Sequence, residues 1–310
     1  MNGAHPPVIL LAGPTASGKT SLSIALAKTV DGEIINADSM QLYADLQIVS
    51  ARPDAGEQAG IPHHLFGVCD AAERSSTGWW VREALDRISE IRARGRRPIL
   101  VGGTGLYFEA LTQGLAAMPE ISSETRARAD AIAAAGDEKL RETARRFDPD
   151  ATARVEANDL QRIRRIVEIG LQTGQPISAF QAKTTPLLSP GDWTGFVVDI
   201  DRAELYRRIE QRFDRMIDAG AIDEVRALAA RKLDSALPAM KAIGVPPLVA
   251  AISGELSTDD AIAQAKQDSR RYAKRQLTWF RNRMTGRPRL TFQDGQIDID
   301  IVISRLGDGS

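Results

Sequence analysis

Eight residues near the N-terminus constrain this chain more than any other part of it. Gly13-Pro14-Thr15-Ala16-Ser17-Gly18-Lys19-Thr20 fits the pattern G-x-x-x-x-G-K-[ST], follows the apolar run Val8–Ala12 and opens onto a helical pattern over Ser21–Val30. A phosphate cradle requires that strand–loop–helix setting. The glycines let the backbone curl so that successive N–H groups turn toward phosphate oxygens, and the following helix offers its positive N-terminal end to the same anion. Lys19 would neutralise terminal phosphate charge, and the Thr20 hydroxyl would hold Mg²⁺. The same loop serves kinases, ATPases and other enzymes that hold a diphosphate, so it predicts an anion and leaves the reaction open.

The surroundings predict an α/β fold. Short apolar runs, Val8–Ala12, Glu33–Ala37 and Pro98–Val101, alternate with helical patterns such as Thr77–Arg94, which implies a mostly parallel sheet covered on both faces. From about Met118 to Thr185 strand signals vanish, and Leu160, Ile163, Val167 and Leu171 recur at helical spacing. Strand character returns in Phe196–Ile200 and is followed by helical patterns. The expected architecture is a P-loop NTPase-like core, 1–117 and 189–310, interrupted by an all-helical insertion over 118–188. A length of 310 residues suits this division, since a domain averages about 150 residues.

Composition narrows the field further. With 43% hydrophobic and 26% charged residues, disordered, collagen-like and coiled-coil readings lose their support. The one cysteine, Cys69, can form neither an internal disulfide nor a thiolate zinc site. Val8–Ala12 is shorter than a membrane span or the apolar region of a signal peptide, so a cytoplasmic chain with no membrane partner is expected.

In an open α/β sheet, ligands bind beyond the carboxyl ends of the strands. That rule nominates Asp38, in Asp38-Ser39-Met40-Gln41-Leu42-Tyr43, and Thr104, in Gly102-Gly103-Thr104-Gly105, as neighbours of Lys19. Asp38 with Gln41 three residues on also fits a helix capping box, and Thr104 fits a plain turn; position alone leaves both readings open. His63 and His64 are adjacent and point apart, which argues against one shared ion. The net charge of the chain is −1, yet residues 266–289 hold nine Lys or Arg against the single acid Asp268, with Tyr272, Trp279 and Phe280 interleaved. Such an excess favours a polyanion partner over a plain solvated face. Arg162, Arg164 and Arg165 cluster beside Gln161. Arg212 lies on a side of its helix away from the apolar stripe Leu205, Ile209, Phe213 and Met216, where solvated charge is the default.

Taken together, these pieces resemble the bacterial tRNA dimethylallyltransferases. The matching segments are Gly13–Thr20, Asp38–Gln41 with Tyr43, Pro62-His63-His64-Leu65, Gly102–Tyr107, Asn158-Asp159 with Gln161-Arg162, Lys241-Ala242-Ile243-Gly244, and Arg271 to Arg281. Ile48–Pro53 departs from the family's usual segment but keeps a basic residue, Arg52, and Val245 stands where a tyrosine is usual.

The resemblance implies transfer of a dimethylallyl group from dimethylallyl diphosphate to the N6 amine of the adenosine 3′ of the anticodon in tRNA. It implies Asp38 as general base, and a catalytic Thr104 that positions either the leaving group or the adenosine. It also implies Gly13–Thr20 with Arg212 on the diphosphate and Mg²⁺ on Thr20. Contacts to tRNA would come from Asp38, Ser39, Met40, Gln41, Thr104, Arg126, Gln161, Arg162, Ile163, Arg164, Arg165, Lys241, Ala242, Ile243 and Gly244, with the helical insertion clasping the anticodon arm. No protein partner is evident, and a monomer is expected. The competing readings are a small-molecule kinase using the same loop and a non-catalytic RNA-binding protein.

Overall fold

A computed structural model describes residues 6–181, 184–292 and 299–307. The first strand, β1 (Val8–Ala12), is apolar throughout and buried on both sides, as a central parallel strand must be. It leads through the glycine-rich loop into α1 (Lys19–Val30), and β2 (Gly32–Asn36), the short β3 (His63–His64), α2 (Thr77–Ala93), β4 (Arg97–Gly102) and α3 (Gly105–Gln113) follow. A run of helices comes next: α4 (Ser123–Ala134), α5 (Asp137–Phe147), α6 (Pro149–Ala153), α7 (Leu160–Thr173) and α8 (Ile177–Gln181). The chain then re-enters the sheet with β5 (Trp193–Asp199), continues through α9 (Arg202–Asp218), α10 (Ala221–Ala230), α11 (Val245–Ile252) and α12 (Thr258–Arg283), and ends in β6 (Arg289–Thr291) and α13 (Ile299–Gly307).

The six strands lie in the order β3-β2-β4-β1-β5-β6, and every pair is parallel. Alternation along β1 divides the core. Val8, Leu10 and Ala12 face a layer containing Trp80, Phe108 and Phe280, whereas Ile9 and Leu11 face Leu22 and Leu26 of α1 and Val302 of α13. All strands being parallel, their carboxyl ends share one rim, which brings together the loops after Ala12, Asn36, Gly102 and Asp199. No helix of the described residues is long and apolar enough to cross a membrane.

Two compact units result. One comprises Met1–Thr112 with Leu188–Ser310, the other Gln113–Leu187. The helical unit thus begins five residues before the sequence-based boundary at 118, because the chain leaves the α/β unit where α3 ends and not at Pro119. Leu188 lies in the α/β core, which moves the return to the other side of that residue. The helical unit has its own core of Ile121, Ala129, Leu140, Ile163, Ile166, Val167 and Ile169. Three of its helices, α4, α6 and α7, are capped by side chains: Ser122 accepts from Thr125 N–H, Asp148 from Ala151 N–H and Asp159 from Arg162 N–H.

Candidate active site

The glycine-rich loop has the backbone that an anion nest needs. Ala16 and Gly18 both have positive φ, 60° and 80°, so the chain doubles back before α1 begins at Lys19. Lys19 Nζ folds over the loop and donates to the Pro14 carbonyl. The Thr15 hydroxyl accepts from Arg212 Nη2, while the Thr15 N–H donates to Gln276 Oε1 at 2.9 Å. Burial pushes the Lys19 ammonium down to about 7, against the attraction of Asp38, and the Arg212 charge lowers it further. Arg212 is itself lowered to about 10 by burial, again opposed by Asp38. Two cations and one carboxylate therefore share a poorly hydrated space in which an anion would be strongly held.

Asp38 follows β2 directly. No helix begins there, so the capping-box reading fails: Oδ1 accepts from Met40 N–H in a local turn, and Gln41 spends its side-chain amide on the carbonyls of Ser50 and Ala51. The turn is held from behind, where Asn36 Oδ1 accepts from Asp38 N–H at 2.8 Å and Asn36 Nδ2 donates to the Asp38 carbonyl. Thr104 holds the next residue, its hydroxyl accepting from Ser39 N–H at 3.0 Å. Among the described residues Oδ2 of Asp38 carries no hydrogen bond, so one carboxylate oxygen is left unengaged.

Two cavities meet at this point. One, of about 500 Å³, is lined by Thr15 to Thr20 together with Asp38, Gln41, Arg208 and Arg212. The other, of about 240 Å³, is lined by Ser39, Met40, Lys241, Ala242, Ile243, Tyr272 and Arg275, among others. Thr15, Asp38, Ser50 and Arg212 belong to both walls. The first cavity is lined by the glycine-rich loop, Lys19, Arg208 and Arg212, a set that fits an anion. The second has both polar and apolar walls. Asp38 stands at the junction.

The donor set also fits a hard cation held with an anion. Thr20 lines the first cavity at the exposed start of α1, near Asp38, while no group of three or more His, Cys, Asp or Glu among the described residues could hold a metal unaided. Mg²⁺ favours such a site, keeping several waters and binding through phosphate oxygens with one or two protein ligands. His63 and His64 are engaged separately: His63 Nδ1 lies 2.7 Å from the Ile61 carbonyl, and His64 Nε2 lies 2.6 Å from the buried Glu33 carboxylate.

Similarity to known proteins accords with this geometry. A family model described as IPP transferase matches residues 41–283, and one described as isopentenyl transferase matches residues 6–63. The tRNA dimethylallyltransferase of Maricaulis maris (strain MCS10) is 57% identical over 303 residues, 97% of each chain. This chain belongs to the IPP transferase family. The tRNA isopentenylpyrophosphate transferase of Bacillus halodurans superposes with a TM-score of 0.70 at 33% identity, covering 98% of both chains. A eukaryotic dimethylallyltransferase, solved acting on tRNA, gives a TM-score of 0.79 at 28% identity over 93% of this chain and 74% of its own.

Placed on the structure, the expected residues of this family member separate into groups. Gly13–Thr20, Asp38, Ser39, Met40, Gln41, Arg212, Lys241, Ala242, Ile243 and Gly244 all lie in the α/β unit, most of them on the walls of the two cavities. Thr104, expected to be catalytic, lines neither; its hydroxyl is turned to Ser39, which makes it a support for the Asp38 turn. Arg126 and Gln161–Arg165 lie in the helical unit. Ile163 has its side chain fully buried in that unit's core, turned away from solvent. Arg164 is paired with Asp130 at 2.6 Å and with Glu168 at 3.1 Å. The basic stretch 266–289 is also less free than its composition suggests, since Lys266 pairs with Asp214, Arg270 with Glu210 and Arg283 with Glu109. Arg271, Lys274, Arg275 and Arg281 remain exposed along one side of α12.

Sequence spacing missed three supports. Glu224 of α10 accepts from the N–H groups of Gln47, Ile48 and Val49 at 2.8–2.9 Å, fixing the segment that carries Ser50 into both cavities. Tyr272 of α12 lines the second cavity, and Gln276, one turn on, is buried with its amide on Thr15 and Gly103. Burial and the Asp38 charge together hold the Tyr272 hydroxyl well above its ordinary range, against the Arg275 charge.

Proposed function

We propose that this protein transfers the dimethylallyl group of dimethylallyl diphosphate to the N6 amine of the adenosine 3′ of the anticodon in tRNA, releasing diphosphate. The observation that carries this reading is the junction at Asp38: an anion cavity and a second cavity meet at one carboxylate. The diphosphate sits on the N–H groups of the loop, with Lys19 and Arg212 against its oxygens. As the C–O bond lengthens, positive charge grows on the allylic carbon and negative charge on the departing oxygen. Groups already fixed in place stabilise that anion without rearranging. The amine of the adenosine bonds to the carbon, becomes acidic as it does so, and gives its proton to Asp38 Oδ2. Thr104 holds the turn that aims this carboxylate. Mg²⁺, bound by the diphosphate and Thr20, would add further charge neutralisation on the leaving group.

An adenine stacked in an anticodon loop cannot reach such a junction, so it must be extruded into the second cavity, where Ser39, Met40 and the 241–243 segment meet its edges. The exposed arginines of α12 and of the helical unit supply charge for the sugar–phosphate backbone. The deciding experiment is mass analysis of nucleosides from tRNA incubated with the protein, dimethylallyl diphosphate and Mg²⁺. A modified adenosine heavier by one five-carbon unit is expected; unmodified tRNA, or product formed only with ATP, would refute the assignment.

A further inference from the structure

One side-chain amide joins two walls of the site that are far apart in sequence. Gln276 is nearly fully buried on the inward side of α12. Its Oε1 accepts from the Thr15 N–H at 2.9 Å, and its Nε2 donates to the Gly103 carbonyl, also at 2.9 Å. Thr15 belongs to the loop after β1 and Gly103 to the loop after β4, and these strands are neighbours in the sheet. The amide lies between the two loops and satisfies one orphan group from each. Gly103 makes room for it: a Cβ there would lie 2.1 Å from Gln276 Nε2 and 3.5 Å from Asp38 Oδ2. The far side of Thr15 is held by Arg212, and Thr104, directly after Gly103, holds Ser39.

We propose that Gln276 is a positioning residue that sets the distance between the anion cradle and the Asp38 turn. It touches neither reacting atom. Its two hydrogen bonds fix Thr15 on one side and the Gly103–Thr104 loop on the other, so the leaving group and the base keep one separation whether or not substrates are bound. The Thr15 N–H is thereby committed to Gln276 and not to the anion, so the nest proper is formed by the residues that follow it. This inference rests on the proposed anion site, but its test does not require prenyl transfer.

Gln276→Glu is the discriminating variant. A protonated carboxyl presents one acceptor and one donor, as the amide does; an ionised one presents only acceptors and faces the Gly103 carbonyl with no proton to give. The charged and titratable groups around it are Asp38 beyond Gly103, Tyr272 one turn earlier on α12, and Arg212 beyond Thr15. Burial and the Asp38 charge both favour the protonated form of the introduced carboxyl, and rising pH ionises it. The dissociation constant of inorganic diphosphate with Mg²⁺, taken as variant over wild type at each pH, should be near unity at about pH 6 and rise about tenfold by about pH 8.5.

Gln276→Met, which fills the space and makes neither bond, should show a ratio raised about tenfold at every pH, with the tRNA dissociation constant within about twofold of wild type. A flat ratio for Gln276→Glu, or wild-type diphosphate affinity in Gln276→Met, overturns the proposal. Absence of prenylated product from the wild-type protein would instead count against the assigned reaction, leaving the diphosphate titrations to judge the clamp.

Discussion

Cations at the glycine-rich loop and cations of the helical unit are held in different ways. In the α/β unit, Lys19 and Arg212 are packed against the Pro14 carbonyl and the Thr15 hydroxyl, and burial lowers both below their usual values. In the helical unit, Arg162 is 76% exposed and pairs with Asp159 on its own helix, and Arg126 is exposed on α4. Enclosed charges of the first kind are fixed before substrate arrives and act at short range in a low dielectric, which suits stabilising charge that develops during bond breaking. Exposed charges of the second kind are screened and cheap to rearrange, which suits an extended polyanion and gives affinity that falls with salt.

Substitutions should reveal this contrast in different observables. Asp38→Ala is expected to have the largest effect, slowing transfer from prebound substrates by about 10²–10⁴ while leaving tRNA affinity nearly intact. Equal loss of binding and none of turnover would make Asp38 a structural residue. Arg212→Met should weaken diphosphate binding by about 10–100-fold, as expected for removing an enclosed charge-assisted hydrogen bond. Unchanged diphosphate affinity would place Arg212 outside the cradle.

A third, intermediate effect comes from Lys19. In the free protein its pKa is about 7, and a bound diphosphate favours the ammonium form. Binding above that pH must therefore take up a proton, and affinity should fall by up to about tenfold per pH unit as the pH rises past 7. Calorimetry in buffers of different ionisation enthalpy measures this uptake directly; no uptake at about pH 8 contradicts the lowered pKa. The smallest effects belong to the helical unit. Arg162→Ala should reduce the salt slope of tRNA binding by up to about one unit, whereas Arg164→Ala, already engaged by Asp130 and Glu168, should change it less. The reverse ranking would show that these ion pairs open on RNA.

How much of this was legible in the sequence depended on how local each signal was. The cradle was readable because its eight residues are contiguous and lie between a strand and a helix. Asp38 was readable through the rule that parallel strands end on one rim, which needs only the strands to be found. Arg212 was not legible from spacing, which on a helix looks like that of any solvated residue; the family resemblance nominated it, and the fold sets it against Thr15. Gln276 reaches Thr15 across 261 residues and Gly103 across 173, and Glu224 reaches Gln47 across 177. No local pattern encodes such contacts. Ile163 sits inside a segment expected to contact RNA, and the helical period turns its side chain inward.

The central claim is that one carboxylate stands between a held diphosphate and an extruded adenine. A crystal structure with an anticodon stem–loop and an unreactive thio analogue of dimethylallyl diphosphate tests it most directly. The account predicts diphosphate oxygens on the loop N–H groups before α1, beside Lys19 and Arg212, and the adenine amine within about 2.6–3.2 Å of Asp38 Oδ2. An adenine lodged away from Asp38, or an analogue bound outside the cradle, would contradict it.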